Sequence, residues 1–399
     1  MRDESMEPPL TRTFLVTCGE TSGEQHAARL IRGIKVLDPS CRVLALGGDV
    51  LEAAGAEIVF RLERYAVMGF AEVLARLPQF IKLERSFRAL LRGGDIDLFI
   101  PVDYPGLNLR LARYAREARV RVLYFISPQV WAWGAWRLKR MRSCVDLMAV
   151  ILPFEEDLYR RAGIPVVFSG HPMLDEIKTP QRPKEAPGRG ASFTVVLFPG
   201  SRRQEFDRMF PVLREAARLI RERFPGGTFV VGLAPLIPDE AVRVPSGMAA
   251  FFRSTRDGVG ELPAASLVLA ASGTVTLQCA LSGTPMVVSY RTSALSYRIG
   301  KSLVKIPWIA MPNVLGRRRI VPELIQSDAT PARIAEEAAS ILGDPVRYRC
   351  MSADLASLGG LLEGPGGVER IAAIALRMAD GESGAEIARS AVGGQDAGP

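Results

Sequence analysis

Residues 193–205, FTVVLFPGSRRQE, decide how this chain is read. Six apolar or β-branched residues, Phe193–Phe198, have the length and composition of a buried strand. Pro199 and Gly200 end it, and an amphipathic helical pattern follows through Met209–Arg223. A strand, a small-residue turn and a helix form the opening half of a βαβ unit. Two further turns share this construction. Cys18-Gly19-Glu20-Thr21-Ser22-Gly23-Glu24 follows an expected strand Thr13–Thr17, and Ser272-Gly273-Thr274 follows Leu267–Ala270. Glycine lets backbone approach a ligand closely, and a helix start directs unpaired N–H groups and positive potential toward it. The same residues also serve as plain helix N-caps. Arg202 and Arg203 tilt the first turn toward phosphate, because a guanidinium matches phosphate oxygens bidentately. None of the three has Walker A or dinucleotide-fingerprint spacing, which weakens a kinase or hydride-transfer reading.

Working outward, short apolar runs alternate with amphipathic stretches along most of the 399 residues, as expected of parallel sheets with crossover helices. Strands are expected at Arg42–Leu46, Leu98–Val102, Val120–Ile126, Leu147–Leu152 and Val166–Phe168. In the second half they are expected at Thr228–Val231 and Pro285–Tyr290. The run KTPQRPKEAPGRGAS at 178–192 reads as a linker. The expected plan is two Rossmann-like α/β domains facing a cleft: residues 1–177, a linker 178–192, residues 193–379, and a flexible tail 380–399.

Composition narrows the function. Five cysteines without a CxxC pair and only two histidines argue against a disulfide framework or a histidine-rich metal site, and suit a reducing cytoplasm. The net charge of +8 favours anionic partners, but no nucleic-acid module is recognisable. No apolar run approaches the length of a spanning helix.

Several further positions carry chemistry. Asp103, in PVDYPGLN from Pro101, sits just past an apolar strand, where a carboxylate can act as general base or can cap the next turn; Asn108 lies in the same block. His171 lies where the first domain ends, and is either structural or part of the cleft. SPQVWAW, from Ser127, offers aromatics for a sugar ring or for edge packing. The apolar stretch with Val67, Met68, Phe70, Val73 and Leu74 is followed by basic residues, and reads as an interfacial segment or a half-buried surface helix.

Taken in order, GETSGE from Gly19, LGG from Leu46, AVMGFAEVL from Ala66, VDYPGLN from Val102, SPQVWAW from Ser127, LPFE from Leu152, GHPMLD from Gly170, FPGSRRQE from Phe198, SGTVTLQ from Ser272, GTPMVVSYR from Gly283 and PNVLGRRRIVPELIQ from Pro312 resemble the lipid-A-disaccharide synthase family across essentially the whole chain. The resemblance implies the GT-B fold and an inverting, cofactor-free, metal-independent glycosyl transfer. The donor would be UDP-2,3-diacylglucosamine and the acceptor 2,3-diacylglucosamine 1-phosphate, yielding a β-1,6 disaccharide 1-phosphate and UDP. Asp103 would be the base. Gly200, Ser201, Arg202, Ser272, Gly273 and Thr274 would hold the diphosphate, and Gln278 would face the ribose. Arg291, Asn313 and Glu323 would lie near the donor or the domain interface. Glu20, Ser22, Gly23, Asn108 and His171 would line the cleft, and the Val67–Leu74 segment would meet acyl chains at the inner membrane. A homodimer is compatible with this picture, and nucleic acid is not a partner. Two positions depart from the family pattern: Glu24 stands where aspartate is usual, and Gln278 where glutamate is usual. A glutamine offers one carbonyl acceptor where a carboxylate offers two oxygens, so a paralogue with another donor or acceptor, or a non-catalytic binder, stays open. A nucleotide-sugar 2-epimerase of similar architecture is disfavoured by the apolar Val67–Leu74 segment.

Overall fold

The computed structural model describes residues 11–19, 21–61, 77–175, 183–188, 190–304, 306–362 and 366–395. The chain divides into two compact units, Met1–Asp175 with Glu363–Pro399, and Glu176–Leu362. Each is built on one parallel sheet.

The first unit contains β1 (Thr13–Thr17), β2 (Arg42–Gly47), β3 (Glu57–Arg61), β4 (Leu98–Pro101), β5 (Arg121–Phe125), β6 (Leu147–Val150) and β7 (Val166–Phe168). Their spatial order is β3-β2-β1-β4-β5-β6-β7. Side chains alternate across a strand, so Phe14 and Val16 enter one core layer and Leu15 the opposite one. Helices cover both faces, which explains why β1 is a continuous apolar run rather than an alternating one. Helix Thr21–Leu37 lies on the first face, and helices Leu77–Arg92 and Pro105–Glu117 contribute to the second.

The second unit holds β8 (Phe193–Phe198), β9 (Gly227–Gly232), β10 (Phe252–Thr255), β11 (Leu267–Ala271), β12 (Met286–Tyr290) and β13 (Glu323–Ile325). They run in the order β10-β9-β8-β11-β12-β13. Helix Arg203–Arg223 buries Phe206, Met209, Phe210, Leu213, Ala217 and Ile220, a stripe at three- and four-residue spacing. In both sheets the order reverses beside the first strand, between β1 and β4 and between β8 and β11. In open parallel sheets of this kind, ligands bind at such switch points, outside the strands' carboxyl ends.

The expected domain limits need two corrections. Helix Gly367–Ala379 belongs to the first unit, not the second: Val368, Ile371, Ala372, Ala375 and Met378 share a core layer with Phe14 and Val16. The expected flexible tail contains a helix, Gly384–Gln395, whose Ile387 is buried in that same layer. Its glycines and alanines suggest fraying, but they also let the helix pack closely: a Cβ on Gly384 would lie 2.2 Å from the Asp146 carbonyl oxygen. Within the expected linker, the Lys184 ammonium donates to the carbonyls of Pro263 (3.2 Å) and Ala265 (2.8 Å), fixing that stretch to the second unit.

Candidate active site

In the first unit, the turns after β1 and β4 flank the switch point. Asp103 and Tyr104 both have left-handed backbone, with φ of 48° and 47°. Two successive non-glycine residues there cost about 1–3 kcal/mol each, so the surroundings must hold them. The Asp103 N–H donates to the Phe125 carbonyl at 3.0 Å. The Asp103 carbonyl accepts from Asn108 Nδ2 and from the Tyr124 hydroxyl, each at 2.7 Å. Asn108 is fully buried; its Nδ2 also donates to the Val102 carbonyl (3.1 Å), and its Oδ1 accepts from Thr17 Oγ1 (2.8 Å). The amide therefore ties β1 to the turn carrying Asp103. Gly19 completes the arrangement, because a Cβ there would lie 2.0 Å from the Tyr104 ring. Gly23 faces the same turn, with a Cβ position 3.9 Å from the Val102 carbonyl oxygen. Tyr104, not Asp103, is the N-cap residue of helix Pro105–Glu117, and its own side chain makes no capping hydrogen bond.

Glu24 is buried, and its carboxylate accepts the Gly48 N–H at 2.6 Å. It thus joins the helix after β1 to the end of β2. His171 is also buried; its Nδ1 accepts from the Met173 N–H at 3.2 Å, which leaves the ring proton on Nε2. Burial, aided by His26, lowers its pKa to about 3. This is a neutral histidine bracing its own turn rather than a poised base. Ser22 is placed in helix Thr21–Leu37 by its backbone alone; Glu20, Val67, Met68, Phe70, Val73 and Leu74 lie outside the described residues.

In the second unit, the turns after β8 and β11 occupy the corresponding positions. Gly200 has φ of 120°, and a Cβ there would lie 2.7 Å from Glu205 Cβ, so the turn folds back over Glu205. Ser201 and Arg202 are exposed at the start of helix Arg203–Arg223, with Arg202 Nη1 3.9 Å from the Glu205 carboxylate. Ser272 Oγ donates to the Ile309 carbonyl (2.9 Å). Gly273 and Thr274 are exposed at the start of helix Val275–Leu281, where their carbonyls accept the Thr276 and Leu277 N–H groups, each at 3.0 Å. Gln278 is half-buried one turn further on, and the Arg291 Nε is buried without a hydrogen-bond partner.

Asn313 is not placed to touch a ligand. Its side chain is fully buried, its Nδ2 donates to Val321 O (3.0 Å) and Glu323 Oε1 (2.7 Å), and its Oδ1 accepts from Ile320 N and Val321 N at 2.7 and 2.9 Å. Glu323 in turn accepts the Ile309 and Ala310 N–H groups, both at 3.0 Å. Polar groups so fully used among themselves are structural: the pair fixes the loop whose Ile309 carbonyl receives Ser272.

Three contributors escaped the sequence reading. Tyr124 looks like a core residue of β5, and only the fold reveals its hydroxyl on Asp103. Glu205 lies in the block read for its arginines. Glu155 is a buried carboxyl that accepts from Ser127 Oγ (2.7 Å), Trp131 Nε1 (3.1 Å) and the Leu152 N–H (3.2 Å). Burial raises its pKa to about 7 against those hydrogen bonds. Its signal was a glutamate three residues into a helix, but the capping position is Leu152 rather than serine or threonine.

Two parallel Rossmann-like units, with small-residue turns gathered at each switch point, define a GT-B-type fold, that of nucleotide-sugar glycosyltransferases and epimerases. The glycosyltransferase of kitacinnamycin superposes with a TM-score of 0.63 at 15% identity, covering 93% of this chain and 100% of that one. A putative UDP-N-acetylglucosamine 2-epimerase from Listeria monocytogenes gives 0.62 at 13%, covering 92% and 96%. The family model for lipid-A-disaccharide synthetase matches residues 14–356. The lipid-A-disaccharide synthase of Geobacter metallireducens is 40% identical over 375 residues, 92% of this chain and 97% of that protein. This chain belongs to the lipid-A-disaccharide synthase family, and it is a glycosyltransferase of lipid A disaccharide synthesis.

Proposed function

We propose that the chain transfers a diacylglucosamine unit from UDP-2,3-diacylglucosamine to 2,3-diacylglucosamine 1-phosphate with inversion and without a metal ion. Asp103 takes the proton of the acceptor hydroxyl as that oxygen bonds to the anomeric carbon. The bond to the β-phosphate oxygen breaks on the opposite face, and UDP leaves with the electron pair. Ser201, Arg202 and the N–H groups around Gly273 and Thr274 offset the charge growing on UDP, the role a metal ion fills in other transferases. Arg291 adds a buried N–H without an acceptor, which an anionic ligand would satisfy.

The observation that carries this reading is the left-handed Asp103–Tyr104 pair, held by Asn108 and Tyr124 at the carboxyl end of β4. Backbone strain of this kind, over-determined by its surroundings, characterises catalytic positions. The test is incubation of the purified protein with both substrates, with and without EDTA, and detection of disaccharide and UDP. Asp103→Asn should lower kcat by about 10²–10⁴-fold. Undiminished activity in that variant removes Asp103 as base, and loss of the chemical step in EDTA contradicts the metal-free account. Gln278→Glu tests the donor: restoring a charged acceptor should tighten UDP-sugar binding by about 1–2 kcal/mol. If Gln278→Glu instead weakens it, the ribose assignment fails.

The acyl chains of both substrates and the net charge of +8 support peripheral association with the anionic inner membrane. No helix among the described residues is long and apolar enough to cross a membrane. Co-sedimentation with anionic, but not neutral, vesicles is expected.

A further inference from the structure

The loop that follows β5 carries a constellation the reaction above leaves unused. Trp133 and Trp136 are 41% and 71% exposed, large apolar surfaces to leave in water. The Arg137 guanidinium lies over both rings, 4.1 Å from the Trp133 centroid and 5.1 Å from that of Trp136. Gly134, with φ of 81°, allows this fold-back, since a Cβ there would lie 3.2 Å from Arg137 Nη1. Stacking on indole faces fixes a guanidinium but leaves its in-plane N–H donors unused. Among the described residues, no carboxylate pairs with Arg137 and no carbonyl accepts from its guanidinium.

The loop is rigid at its root. Ser127 and Trp131 both donate to the buried Glu155 carboxyl. It also emerges beside the candidate base: Phe125, the last residue of β5, accepts the Asp103 N–H at 3.0 Å, and Tyr124 donates to the Asp103 carbonyl. Burial pushes the Tyr124 hydroxyl well above its usual pKa; the Asp103 charge adds to that push and the Arg137 charge opposes it. A preorganised, planar cation flanked by aromatic rings, on the segment that leaves the strand bracing the base, suits a sugar phosphate.

We propose that Arg137, braced by Trp133 and Trp136, recognises the phosphate of the acceptor and positions its hydroxyl for Asp103. This rests on the acceptor being a glucosamine phosphate, as argued above. The test compares steady-state kinetics on 2,3-diacylglucosamine 1-phosphate and on its dephosphorylated analogue, presented in the same detergent micelles. Arg137→Gln should lower kcat/KM for the phosphorylated acceptor about 10- to 100-fold, through KM, and leave the dephosphorylated acceptor and the donor KM within about twofold. Arg137→Lys should recover part of the loss, because it keeps the charge but not the planar fork. Trp133→Leu should fall between wild type and Arg137→Gln, with quenching of indole fluorescence by the acceptor reduced. The proposal is overturned if a folded Arg137→Gln affects both acceptors equally, affects neither, or loses only vesicle binding. If the wild type forms no disaccharide from either acceptor, the substrate reading itself is wrong and this proposal falls with it.

Discussion

Replacing Asn108 by alanine separates fold stability from catalytic geometry. The substitution deletes three hydrogen bonds: from Thr17 to Oδ1, and from Nδ2 to the carbonyls of Val102 and Asp103. At about 1 kcal/mol net for each, the first unit should lose about 3 kcal/mol. For a unit of this size that lowers its melting temperature by about 9 °C. Catalysis is affected separately. Two left-handed residues cost about 1–3 kcal/mol each, and the two Nδ2 bonds oppose relaxation with about 2 kcal/mol. Withdrawing them shifts the turn by a factor of about 30, and kcat should fall by about that much. Donor KM should not change, because the residues proposed to hold the donor belong to the other sheet. Calorimetry and product-release kinetics on the same preparation read both quantities. A variant that melts as predicted yet keeps kcat within about twofold of wild type would refute the link between Asn108, the strained turn and catalysis.

Gly19→Ala places a methyl group 2.0 Å from the Tyr104 ring, so the ring must leave and release its left-handed backbone; kcat should drop by at least tenfold with little change in the far-ultraviolet dichroism spectrum. The two kinds of buried titratable group give opposite pH slopes. Glu155, held at about 7, stabilises the fold in its neutral form, and that contribution is lost as pH rises through 7. Relative to Glu155→Gln, the wild type should therefore lose stability in denaturant melts as pH rises from about 4.5 to 7, by at most about 1.4 kcal/mol per pH unit, and change little above 7. His26 and His171, held at about 4 and 3 chiefly by burial, stay neutral while the unfolded chain protonates, so acidification below 6.5 should destabilise the protein. A melting curve that improves steadily toward pH 5 would contradict this. Truncation after Leu362 should unfold the first unit rather than trim a tail, because Val368, Ile371 and Met378 each contribute about 1.5–3 kcal/mol of burial. A truncated protein with an unchanged melting profile would disprove that dependence.

The parallel strands that carry the site were legible because both faces of each sheet are covered. β1, β4, β5, β6, β8 and β11 are apolar runs bounded by turn residues, and the sequence boundaries agree with the structure to within about two residues. The strands that escaped are at sheet edges. β3 (EIVFR) and β10 (FRST) alternate toward solvent, and β13 is three residues long; edge strands need little apolar patterning, and their pairing depends on a neighbour the sequence does not reveal.

By itself, the sequence determined the small-residue turns at Gly19, Gly200 and Gly273, the acid at Asp103, and through eleven ordered motifs the family. These are local properties: a glycine where backbone must turn, a carboxylate after a strand. Tertiary structure alone decided that helix Gly367–Ala379 returns to the first unit, that Asn313 and Glu323 bond to each other instead of facing a ligand, and that Asn108 and Tyr124 hold Asp103 in place. Each of those depends on partners brought together from separate elements of the chain, and hydropathy patterns fix which face of an element is buried without fixing what it is buried against.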